Sequence, residues 1–194
     1  MSICGKISAN VLMDCDYPLV GGANDNLYLI NLDDWNDSTI TVDAGNDQLI
    51  TNINLGSGYL AYKFEGKNNS VEPRSVLVKQ RYAEVYDHEV IFKVFINDAA
   101  TKLQLEKMAK GKVVAIVENN YKGDTGKGAF EVYGKETGLQ VMEMERVVAD
   151  TETQGAYNVT LRSSEFAKES HLPSTLWVTT YAQTKALVES LASA

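Results

Sequence analysis

Two cysteines and two histidines in 194 residues leave little material for metal or thiol chemistry. Cys4 and Cys15 stand near the start with no metal-ligand spacing to each other or to His88 and His171, so neither a structural zinc centre nor any other metal or cofactor site is expected. In a reducing cytoplasm both thiols are expected to stay free. Positive charge is also short: 18 Lys and Arg face 26 Asp and Glu, a net charge of −8. That balance disfavours a surface that grips nucleic-acid phosphates, though not one that nucleic acid slides past. No apolar run approaches the roughly 20 residues that cross a bilayer, so no membrane segment is expected. The first residues lack a basic and apolar signal pattern, and residence in a cytoplasm is the expectation. Without a secretory route the sequons at Asn36, Asn68 and Asn158 carry no weight. No repeat, low-complexity tract or linker divides the chain, which reads as one β-rich domain, 1–194, with an extended N-terminal arm 1–20 (a short strand near Ala9–Met13) and a projecting arm 67–82.

What is present is β-patterned sequence interrupted by one clear helix. Val90, Phe92, Val94 and Ile96 alternate along one strand face. Asp98 follows as an N-cap. Lys102, Glu106 and Lys110 then fall on one solvated stripe of a helix over about 99–110, with Thr101, Leu105 and Met108 opposite and Gly111 as the C-cap. Val113–Val117 is apolar on both faces, as a central strand would be. The glycine-rich turn 122–128 leads into a strand with Phe130 and Val132 on one face, which reads as a hairpin with a flexible tip.

On either side of this stretch, Leu27–Leu32 reads as a buried strand after a turn cluster at 21–26. Leu49, Thr51, Ile53 and Leu55 share a face and, across Gly56-Ser57-Gly58, read as a hairpin with Leu60, Tyr62 and Phe64. Pro73 reads as a break. Later strands are expected over 139–148, at Tyr157, Val159 and Leu161, and at Leu176, Val178 and Thr180. Thr184, Leu187, Val188 and Leu191 then lie at helical spacing, a short C-terminal helix.

Candidate chemistry is thin. Gly126-Lys127 lacks the earlier glycine, the following Ser or Thr and the following helix of a phosphate loop, so Lys127 is not expected to hold phosphate. Asp33, Asp34, Asp37, Asp43 and Asp47 are acidic, but they lack the EF-hand spacing, and Asp populates turns for local reasons. His88 at a strand start and His171 in a loop read as surface or edge residues. Glu143 and Glu145 share a strand face, as a glycosidase pair could, but a solvated or lumen-facing β-surface explains them more cheaply. No nucleophile elbow occurs, and the chain is not expected to be an enzyme. Tyr59, Tyr62, Tyr82 and Tyr86 are the candidates for an aromatic, sugar-binding surface.

Three stretches carry a family resemblance: EVIFKVFINDAATKLQLEKMAKGKVVAIVENN, YKGDTGKGAFEVYGKETGLQV and GGANDNLYLINLDDW. Through them the chain resembles the tail tube proteins of tailed bacteriophages, with the last stretch similar to virion proteins of Bacteroidetes-like phages. The resemblance implies a mainly β fold, a β-sandwich or partly closed β-barrel with the flanking helix. It implies hexameric rings stacked into a tube, DNA as a cargo that does not stick to the lumen, other virion proteins as partners, and location in the virion. The arm's mixed faces place the expected subunit contact at Val76, Leu77, Val78, Gln80 and Tyr82. A baseplate, neck or fibre-attachment protein, or a carbohydrate-binding β-sandwich, would share much of this composition.

Overall fold

In the computed structural model, which describes residues 9–11, 16 and 18–193, the chain runs β1 (Ala23–Asn31), α1 (Leu32–Asn36), β2 (Thr39–Asp43), β3 (Asn46–Asn54), β4 (Tyr62–Glu65), β5 (Val71–Lys79), β6 (Glu84–Val94), α2 (Ala99–Met108), β7 (Val113–Asn119), β8 (Phe130–Tyr133), β9 (Leu139–Arg146), β10 (Tyr157–Ser163), β11 (Ser174–Leu176) and α3 (Tyr181–Leu191). The strands are hydrogen-bonded into one network. Its continuity between β7 and β9 rests on a single pair, Val113 with Leu139. There the network folds over into two layers. One layer runs β2-β3-β11-β8-β7-β1-β4 and the other β9-β10-β6-β5. The sheet does not close into a barrel, so the architecture is sandwich-like and mainly β.

Strands β1 and β7 explain the layering. They pair antiparallel with Leu27 opposite Val117 and Leu29 opposite Ala115. Leu27, Leu29, Val113, Ala115 and Val117 share a core with Val90 and Phe92 of β6, Val159 and Leu161 of β10, and Leu105 and Met108 of α2. The alternate residues Tyr28, Ile30, Val114 and Ile116 share a second core with Val188 and Leu191 of α3. A strand covered on both faces must be apolar at every position, and the VVAIV run meets that demand. Each fully buried aliphatic side chain contributes about 2 kcal/mol. No helix among the described residues is long and apolar enough to cross a membrane.

Several local expectations give way. Strands β3 and β4 form no hairpin: β3 pairs with β2 and β11, and β4 pairs with β1 at the far edge of the same layer. Two register shifts against β2 also break the period of β3, so Ile50 and Ile53 are buried while Thr51 is not. A bulge moves residues off strict alternation in this way. Pro73 lies inside β5, opposite Val90. Strand β5 pairs with β6 alone, and an edge strand tolerates a residue with no N–H to give. Helix α2 starts as expected, with the Asp98 carboxylate accepting from the Thr101 N–H at 2.7 Å. It stops at Met108 with Ala109 as its C-cap, and Gly111 is not in the left-handed region. The last strand covers only Ser174–Leu176, and Thr180 is instead the N-cap of α3. The turn cluster at 21–26 already contains the start of β1. Most of the arm 1–20 lies outside the described residues; Ala9–Val11 are not strand.

Candidate functional site

The feature that the fold leaves uncovered is the hairpin β5–β6. Strand β10 follows β6 from Tyr157 opposite Val94 to Arg162 opposite Glu89, and pairing stops there. Strands β5 and β6 remain paired beyond that point, as far as Lys79 opposite Glu84. Beyond that ladder β6 is still bridged once, by Glu169 at Tyr86, and past Tyr86 the paired strands run on for about 7 Å, at roughly 3.3 Å per residue. The N–H of Gln80 donates to the Ala83 carbonyl at 2.8 Å and closes the turn. Val76, Leu77 and Tyr82 stand 43 %, 48 % and 86 % exposed. Gln80 is exposed and Val78 half-buried. The five residues expected at a subunit contact are thus gathered on one projection.

The hairpin is fixed at both roots. At the β5 root, Asn68 and Asn69 take left-handed backbone, with φ of 55° and 57°. The Asp25 carboxylate accepts from the Asn69 N–H at 2.6 Å, and the Asp25 carbonyl accepts from the Gly66 N–H at 2.7 Å. Ser70 and Val71 are buried. The arm expected over 67–82 therefore leaves the body only beyond Val71.

At the β6 root, Asp87 is buried and paired. Arg162 Nε donates to Asp87 Oδ2 at 2.7 Å. Lys168 Nζ lies 2.9 Å from Oδ1, an ion pair without hydrogen-bond alignment. Burial by itself raises the Asp87 carboxyl, but the Arg162 hydrogen bonds and the positive charges of Lys168 and Arg162 outweigh it and hold the group below its ordinary value. Tyr86 and Glu169 exchange backbone hydrogen bonds at 2.8 and 3.0 Å. The buried Glu169 carboxylate accepts from the Thr137 N–H at 2.9 Å and the Glu136 N–H at 3.0 Å.

His88 was expected at a surface or edge, but it is 1 % exposed. Its strand is interior on this face. Nδ1 accepts from the Gly134 N–H at 3.1 Å, and Nε2 donates to the His171 carbonyl at 3.0 Å, which assigns the neutral Nε2–H tautomer. Burial pulls the imidazole below its ordinary value, and the Glu169 charge restores only part of the shift. Ser163 is beside it, yet its hydroxyl accepts from the His88 backbone N–H at 3.1 Å and does not meet the ring. Both ring nitrogens are occupied by backbone groups, so this histidine pins loops together. His171 is exposed, with Nδ1 2.7 Å from Glu136 Oε1.

The other sequence candidates are scattered. Tyr59 bonds Asp37 at 3.2 Å, Tyr62 lies on β4, Tyr82 at the hairpin tip and Tyr86 on β6, with no ring contact among them. Glu143 and Glu145 are exposed on β9, opposite Thr160 and Asn158. Asp34 and Asp43 bond local groups, Asn31 at 2.8 Å and the Gly45 N–H at 2.9 Å. Lys127 is exposed, and β8 follows its turn. That turn is tied down: Gly126 is buried against Tyr181, whose hydroxyl donates to the buried Glu118 at 2.5 Å and accepts from Lys122 at 2.8 Å.

Sequence reasoning missed Asp87, Glu118, Arg162, Lys168 and Glu169. The available signal was a charged residue at the end of an apolar strand, which must find a partner when buried. Apart from Lys122, four residues from Glu118, the partners stand tens of residues away. Compared with protein-family models, with curated proteins and with solved structures, the chain matches none.

Proposed function

We propose that this chain is a structural subunit of a phage tail tube, which self-associates into hexameric rings that stack around a lumen for DNA. The observation that carries this reading is the hairpin β5–β6, which overruns its layer and exposes Leu77 and Tyr82. A hairpin held firmly at both roots, with Val76, Leu77 and Tyr82 exposed along it, is organised to be covered by another molecule. The free edge of β5 would pair in the assembly. The net charge of −8 suits a lumen that repels phosphate. On this reading the mechanism is assembly rather than catalysis, the partners are further copies and other virion proteins, and the location is the virion.

Negative-stain microscopy and sedimentation of the purified protein test the proposal. Rings or tubes are expected, and L77D/Y82D should give a monomer with an unchanged circular dichroism spectrum. A wild-type protein that stays monomeric at millimolar concentration overturns it.

A further inference from the structure

A groove of about 690 Å³ opens between the layers beside the first residues of β5. Its charged lining consists of Glu72 and Glu131, joined by Asn69, Asn119 and Tyr121; no Lys or Arg lines it among the described residues. One oxygen of Glu131 accepts from the Tyr133 hydroxyl at 2.7 Å, which fixes that carboxylate in place. Arg74, two residues along β5 from Glu72, is occupied by Glu89 at 3.4 Å. Two carboxylates beside tyrosine, with no cation among the lining side chains, form a receptor for a cationic side chain carried on an aromatic or apolar stem.

The hairpin tip has that chemistry. Lys79 and Arg81 are exposed, and the Arg81 guanidinium already lies over the Tyr82 ring at 5.1 Å. The groove touches Val71, Glu72 and Pro73 at one end of β5, and the tip begins after Lys79 at the other. These ends are about 26 Å apart along an extended strand. A tip therefore cannot enter the groove of its own chain. We propose that the groove receives the Arg81–Tyr82 tip of a second copy. Because donor and acceptor surfaces differ, the contact is head-to-tail, and each copy bound offers a free groove or a free tip to the next. The inference rests on the reading of the chain as a self-assembling subunit and names the contact that joins its copies.

Charge exchange tests it, with Arg81→Glu and Glu72→Arg, both at exposed positions. Each single variant should lose about tenfold or more in association constant by sedimentation velocity in low salt, the size of a lost interfacial charge pair. An equimolar mixture should recover association. The acidic tip of the Arg81→Glu copy then meets the basic groove of the Glu72→Arg copy at one contact, and the native pair forms at the next. The double variant should recover likewise. If the wild type and both single variants associate equally, the tip and groove are not partners while self-assembly stands. If the single variants fail and the mixture stays dissociated, the pairing is wrong. If the wild type does not associate, this inference falls together with the assembly reading.

Discussion

Replacing Asp87 by Asn removes the negative charge at the β6 root of the hairpin and leaves its shape nearly unchanged. Lys168, 9 % exposed at its side chain, would face a neutral amide in place of the carboxylate, with the Ser163 carbonyl at 3.5 Å beside it. Arg162, 45 % exposed, can turn to water and loses less. Breaking one side of a buried pair costs about 3–5 kcal/mol, and the exposure of Arg162 argues for the lower end, about 3 kcal/mol. With about 2.1 cal/mol/K of unfolding entropy per residue, a chain of this size should lose about 7 °C in Tm. The pH dependence follows from the depressed Asp87 carboxyl. A folded pKa below the unfolded value of about 3.9 gives stability that is fully present above that value and lost as pH falls through the folded pKa. Differential scanning calorimetry of wild type and Asp87→Asn at pH 7 and at pH 3 checks both points. The Tm gap should be wide at pH 7 and shrink at pH 3. A gap under about 2 °C at pH 7, or one that widens in acid, would refute the account of this ion pair.

Gly126→Ala places a Cβ 2.7 Å from that of Tyr181 at a φ of +83°, and should cost about 3 kcal/mol by urea unfolding through strain and overpacking. A neutral result would mean that the turn is not held against α3. Tyr181→Phe removes the hydroxyl between Glu118 and Lys122 and should cost about 1 kcal/mol on the same titration, since the Lys122 ion pair to Glu118 remains. Asp98→Ala removes the cap on the Thr101 N–H, so amide exchange at Thr101 should speed up while β7 amides stay protected; unchanged exchange at Thr101 would show that water replaces the cap without loss.

The elements legible in the sequence are those whose signal is local. The Asp98 cap, the Leu105 and Met108 face, the doubly apolar β7 and the spacing of α3 each depend on side chains within a few residues of one another, and each stands where the pattern put it. Strand β5 is legible as mixed apolar and polar alternation for the same reason. Pairing partners were not. Nothing near Gly56-Ser57-Gly58 distinguishes a hairpin from a crossing that carries β4 to the far edge of its layer, because that choice is settled by competition for β1 and β11. Pro73 reads as a break until β5 is known to be an edge. His88 reads as a surface residue until the Gly134 N–H and the His171 carbonyl, both far along the chain, arrive to satisfy its ring. The polar roots of the hairpin belong to the same class. A buried charge is tolerable only with a partner in place, and Asp87 meets Arg162 and Lys168 only because β10 pairs with β6 and the following loop returns across Tyr86. Sequence set which segments could be strand or helix through short-range chemistry; the tertiary structure chose the neighbours, and with them which polar groups could be buried and which hairpin was left standing free.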